Sequence, residues 1–207
     1  MICRKNKFIF IHIPKNAGEA ISQALEIKPS RNQHKFKFET CILDKHETIT
    51  ECMTLKKSTE NYFRFSFVRN PWDRLVSMWS YSKKRGIQPT ASVSFEYYIK
   101  NQEDILSQVP ETYLSNSQRK INVLYPQYFY ISDWWGNNVM DFIGKFENLQ
   151  NDFDIVCDKI GIPRRTIPKK NPSNHKHYTE YYNDTTRDIV AQRYAKDIEY
   201  FSYKFGE

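Results

Sequence analysis

Disulfide staples and structural metal sites are not in prospect for this chain. Its four cysteines, Cys3, Cys41, Cys52 and Cys157, are scattered, with no C-x-x-C pair and no histidine at metal-ligand spacing. They read as the reduced thiols of a cytoplasmic protein. No run approaches the roughly 18 apolar residues of a membrane span. The arm before Phe8 is too short and polar for the apolar core of a signal peptide, so a soluble protein is expected. Internal repeats and carboxylate-rich metal sites are missing as well. So is the G-x-x-x-x-G-K-S/T spacing of a triphosphate loop. A kinase built on that loop would put its lysine after the last glycine, whereas Lys15 stands three residues before Gly18.

What remains is a basic, aromatic-rich globular chain. Its 207 residues suffice for a single α/β domain, residues 1–207, with a real core. Hydrophobic residues at 40% and aromatics at 15% exclude a disordered composition. The net charge of +7 suits an anionic partner: nucleic acid, a phosphorylated cofactor, an acidic polymer or a membrane surface. A basic nucleic-acid-binding module is one reading of that charge, drawn from stretches such as "YSKKRG" and "NHKHYTEYY". No recognised nucleic-acid motif accompanies them.

Along the chain, strands and helices alternate, which implies a mostly parallel central sheet flanked by helices. Phe8 to Ile13 is an apolar run interrupted only by His12, as for a central strand covered on both faces. Ala17, Ala20, Ile21, Ala24 and Leu25 then follow helical spacing. A short helix is expected from Glu47 to Leu55. Tyr62 to Val68 reads as a second strand, Asn70 as an N-cap and Pro71 as the first helical residue. Trp72, Leu75, Val76 and Trp79 give that helix one apolar face. Tyr128 to Ser132 and Phe142 to Phe146 are expected strands. Leu149 to Ile160 forms a helix ending at Gly161. Residues 162–177 are basic and proline-rich, hence a loop. Val190, Tyr194, Ile198 and Phe201 predict one C-terminal helix.

Two places could hold anions. In "HIPKNAGEAI" the strand turns into a helix with no slack, and backbone N–H groups of Asn16 to Ala20 would be the unsatisfied donors of a helix N-terminus. Lys15 adds a point charge beside them. In "FRFSFVRNPWDRLVSMWSY", Arg69 stands at the C-terminal end of its strand, where open α/β sheets bind ligands. Ser77 lies on the helix face of Asn70, Asp73 and Arg74, turned away from the apolar stripe. A guanidinium and a hydroxyl there could grip a second phosphate. Two such ends point to a nucleoside phosphorylated at both.

These two segments resemble the paired signatures of sulfotransferases that use 3′-phosphoadenosine 5′-phosphosulfate (PAPS), nearest to the carbohydrate branch, heparan/chondroitin-type and bacterial. The likeness continues through "DFIGKFENLQNDFDIVCDKIGIP" and the ending "HKHYTEYYNDTTRDIVAQRYAKDIEYFSYKF", well over half the chain. It implies the sulfotransferase fold, with a P-loop-like strand-loop-helix. It also implies that Lys15 is the catalytic lysine at the phosphosulfate. Asn16, Ala17, Gly18, Glu19 and Ala20 would offer backbone N–H groups to the 5′-phosphate, and Arg69 and Ser77 would bind the 3′-phosphate. The family loop commonly has Thr or Ser where Glu19 and Ala20 stand, so hydroxyl contacts are lost here. A member that keeps the fold without turnover is therefore a further alternative.

Sulfuryl transfer needs a base for the acceptor hydroxyl, and histidine suits neutral pH. His46, in "DKHETITECM", occupies the place where related sequences carry a histidine that opens the short helix, and it is the expected base. His12 reads as a packed strand residue, and His34 falls in an unassigned region. His175 and His177 lie in the basic loop, where solvent and ligand are equally open. The chemistry calls for no metal. Trp72 on its apolar stripe reads as core packing rather than an adenine platform, and Gln127 as a contact to the acceptor. The expected acceptor is a carbohydrate or other hydroxyl-bearing molecule, read through residues 80–130 and the C-terminal loop.

Overall fold

A computed structural model describes residues 1–27, 48–55, 59–109, 124–168 and 176–207. These fall into two compact units, residues 1–68 with 127–171 and residues 69–126 with 172–207. Among them no helix is long and apolar enough to cross a membrane.

The first unit is built on a four-stranded sheet, β1 (Ile2–Cys3), β2 (Phe8–Ile11), β3 (Phe63–Val68) and β4 (Phe142–Lys145), in spatial order of sequence. β2, β3 and β4 are parallel, with Phe10 opposite Phe65 and Phe65 opposite Phe142, while β1 joins the edge antiparallel. The expected α/β class with a mostly parallel sheet is therefore present. Every residue of β2 is buried, as its continuous apolar run requires. Alternation sends Phe8, Phe10, Phe65 and Phe67 into one core with Ile21, Ala24 and Leu25 of α1 (Gly18–Ala24). Phe153, Val156 and Cys157 of α7 (Leu149–Lys159) complete it. The Phe10 and Phe65 rings stack at 5.0 Å. Burying each such ring is worth about 1.5–3 kcal/mol. β4 crosses this layer at Gly144, where a Cβ would overlap the Phe67 ring. α2 (Ile49–Leu55) and α6 (Gln127–Ile131) also belong to this unit.

The strand expected over Tyr128 to Ser132 is in fact α6. A five-residue apolar run fits either period, so its type is decided by partners. Here the Ser132 hydroxyl donates to the Tyr128 carbonyl at 2.6 Å, a bond back one helical turn. The following turn carries Trp134 and Trp135, both exposed. β4 ends at Lys145, one residue short of the expected strand, and Phe146–Asn148 is a 3₁₀ turn into α7.

The second unit is helical. α3 (Pro71–Arg85) starts as its sequence predicts: Asn70 Oδ1 accepts the Trp72 N–H at 3.1 Å, and Pro71 follows the cap. It stops at Gly86, whose φ of 65° only glycine adopts without penalty. Trp72, Leu75 and Val76 bury against Phe95, Tyr98 and Ile99 of α4 (Phe95–Lys100), with Val190 and Tyr194 from the C-terminal segment. α5 (Gln102–Ser107) follows α4 directly. Trp72 Nε1 donates to the Arg187 carbonyl at 3.1 Å, so this indole is a core residue.

The single C-terminal helix expected from residue 190 onward is two. α8 (Asp184–Arg193) and α9 (Ala195–Phe201) meet at Tyr194, whose backbone leaves helical values at φ −112°, ψ 27°. Its phenol donates to the Leu124 carbonyl at 3.0 Å. Apolar spacing runs unbroken across this one-residue step, so periodicity cannot register it.

Candidate functional site

The loop that leaves β2 holds two non-glycine residues in the left-handed region, Lys15 at φ 71° and Ala17 at φ 59°. Each such residue costs about 1–2 kcal/mol. Strain of this kind persists only where surrounding contacts dictate it, and it gathers at functional turns. Alternating left-handed residues turn successive amides toward one side, the concave arrangement that receives anions. Ala17 caps α1 without a side-chain bond, and the helical ladder opens with the Ala20 and Ile21 amides donating to the Ala17 carbonyl at 2.9 and 3.0 Å. The amides of Asn16 to Glu19 stand ahead of that ladder. The Ala20 amide, expected among the phosphate donors, is thus engaged inside the helix.

What holds the loop is packed around Asn16 and Gly18. Asn16 is buried, and its amide donates to the Phe67 carbonyl and to Gln127 Oε1, both at 2.7 Å. Its Oδ1 meets no donor among the described residues. Gly18 lies against the His12 imidazole, which stacks on Phe10 at 5.8 Å. His12 is accordingly a packed residue, as the sequence implies. Lys15 is half-buried, Glu19 is exposed and Ala20 is buried. The Asn16 side chain escaped sequence reasoning, which gave that residue a backbone role only. Gln127 was expected to face an acceptor; it is wholly buried and holds Asn16 instead. Its place right after Pro126, with an amide inside an apolar run, is the one signal that marks it.

In the second unit, Arg69 directly follows the last residue of β3. Its buried guanidinium donates from Nε to Asp73 Oδ2 at 2.7 Å. Asp73 fixes the azimuth of the guanidinium plane, a geometry suited to presenting N–H groups in a fork. Asp73 and Ser77 stand four residues apart and share one face of α3, with Ser77 buried, while Arg69 precedes the Asn70 cap and meets that face through its bond to Asp73. Arg74 is buried too, and its Nη1 donates to the Tyr125 carbonyl at 3.1 Å. Asn70 does more than cap: its Nδ2 donates to the Lys204 carbonyl at 2.9 Å.

The expected base, His46, lies outside the described residues, as do His34, His175 and Cys41. His177 is exposed, and its Nδ1 pairs with the Thr179 hydroxyl at 2.7 Å.

Comparison with known proteins adds three findings. A family profile described as "Sulfotransferase family" matches residues 1–204. An uncharacterized protein of Archaeoglobus fulgidus is 30% identical over 127 residues, 59% of this chain and 88% of that protein. The crystal structure of a sulfotransferase from Alicyclobacillus acidocaldarius aligns over 92% of both chains, with 14% identity and a TM-score of 0.47.

Proposed function

This chain belongs to the sulfotransferase family, and on that premise we propose that it moves a sulfuryl group from PAPS to a hydroxyl of a carbohydrate-type acceptor by in-line displacement. The observation that carries this reading is the pair of left-handed residues, Lys15 and Ala17, in the turn between β2 and α1. Such a strained turn, with an ammonium-bearing residue in it, is what a phosphosulfate group would use. Its donor set of backbone amides and one cation matches a dianion, so the residues present fit the group.

Bound there, PAPS would supply the sulfuryl group and leave as adenosine 3′,5′-bisphosphate. Lys15 and the amides of Asn16 to Glu19 would stabilise charge that builds on the oxygens of that end, usually the largest catalytic effect. Arg69, oriented by Asp73, and Ser77 would hold the 3′-phosphate end. His46 would accept the proton of the attacking hydroxyl. The net charge of +7 favours an acidic acceptor.

Two measurements test this. Calorimetric titration with adenosine 3′,5′-bisphosphate should show binding to the wild type, and its absence there would remove PAPS as donor. Transfer of labelled sulfate from PAPS to a glycan panel should fall about 10²–10³-fold in Lys15→Ala, the scale for losing one charge-stabilising donor, and about 10²–10⁴-fold in His46→Ala. Binding without transfer to any acceptor would favour a family member that has lost turnover. Salt-sensitive binding of nucleic acid that ignores the bisphosphate would favour the nucleic-acid module.

A further inference from the structure

Gln127 places an amide in an apolar core, and there its Oε1 receives the Asn16 side chain. It is the first residue of α6, wholly buried, and 111 positions away in sequence from the residue it holds. Asn16 occupies the position between the two left-handed residues of the loop. Both amide hydrogens of Asn16 are accounted for, one by the Phe67 carbonyl at the end of β3 and one by Gln127 Oε1. With both N–H groups committed, rotation of this side chain, and of the backbone segment that carries it, must break buried hydrogen bonds. Rotating the Asn16 amide by half a turn would set its oxygen against two acceptors, a buried repulsion. The strain at Lys15 and Ala17 is therefore balanced by two buried bonds from the residue between them.

We propose that Gln127 is a positioning residue for the sulfuryl donor: by receiving the Asn16 amide it holds the β2–α1 turn, and with it Lys15, in the donor-binding conformation. This rests on the PAPS reading above. Gln127 touches neither donor nor acceptor in this scheme and acts through Asn16 alone. Losing the bond would release a segment that prefers ordinary backbone angles, because Lys15 and Ala17 gain by leaving the left-handed region. It would also leave a buried N–H without an acceptor.

The test is a double-mutant cycle on the full chain, with Gln127→Met, Asn16→Ala and the pair. Met keeps the volume and apolar stem and removes the acceptor. Gln127→Met should bind adenosine 3′,5′-bisphosphate about tenfold more weakly, the effect of one lost buried hydrogen bond. It should also lower kcat, since Lys15 is displaced from its working position. In the Asn16→Ala background the same change should alter neither quantity, because the coupling is gone. Purely structural packing by Gln127 predicts additive losses and overturns the inference. Amide hydrogen exchange of the ligand-free protein supplies an independent readout: Gln127→Met should speed exchange at residues 15–18, and unchanged exchange there overturns the inference too. A wild type that binds the bisphosphate while Gln127→Met binds it equally well defeats this inference alone. A wild type that does not bind at all defeats the PAPS reading, and this one with it.

Discussion

Gly18 has no room for a side chain, because the His12 imidazole occupies the space where its Cβ would stand. His12 is in turn kept in place by stacking on Phe10, whose ring stacks on Phe65 at the centre of the first unit. At Gly18 the core thus bears on the loop through this histidine. Gly18→Ala should destabilise the protein by about 1–3 kcal/mol, the usual range for overpacking, and weaken bisphosphate binding. Adding His12→Ala to Gly18→Ala should restore part of the lost melting temperature by making space. Thermal unfolding of the two single variants and the pair measures this.

Arg69 and Asp73 carry a second expectation. Arg69→Ala should abolish measurable binding of adenosine 3′,5′-bisphosphate by calorimetry while adenosine 5′-phosphate binding, if detectable, changes little. Asp73→Asn keeps a hydrogen-bond acceptor for Nε, so its affinity should fall far less than that of Arg69→Ala. Equal losses in both variants would argue that the carboxylate charge matters more than its geometry.

Asn70 joins the start of α3 to the Lys204 carbonyl and caps Trp72 with its other atom. Asn70→Asp retains the cap acceptor and loses the donor; Asn70→Ala loses both. Capping alone is worth about 1 kcal/mol, and a buried bond adds about as much. Urea unfolding should rank the variants wild type, Asn70→Asp, Asn70→Ala in falling midpoint.

Cys157 is buried among Phe153, Val156 and the sheet phenylalanines, and burial raises its thiol pKa above the ordinary value. The charged thiolate is the reactive form, so a raised pKa leaves a smaller reactive fraction at any pH below it. In native protein at pH 8, iodoacetamide should leave Cys157 unmodified over a time in which the denatured chain is fully labelled. Peptide mass spectrometry reads the difference, and raising the pH should speed the native reaction.

Local chemistry was readable from the chain wherever neighbours in sequence decide the outcome. The cap at Asn70, the start at Pro71 and the apolar face of Trp72, Leu75 and Val76 all appear where residue types and spacing put them. β2 and β3 were visible as apolar and aromatic runs, and the turn after β2 as a Pro, a Lys and a Gly before helical spacing. Tyr128 to Ser132 was misread because a short aromatic run satisfies both periods, and Tyr194 was missed because apolar spacing passes unchanged through a break.

By itself, then, the sequence determined the elements that a few adjacent residues can specify: a parallel-sheet pattern, a strand-loop-helix turn with a lysine in it, and an arginine at the head of a capped helix. Tertiary structure alone decided what holds that turn in its strained shape. Asn16 finds Phe67 and Gln127, and Gly18 meets His12, only after β2, β3 and α6 have been brought side by side. Hydrogen bonds and steric limits act over a few ångströms, whereas these partners are up to 111 residues apart along the chain. No local pattern can encode a contact that the fold must first create.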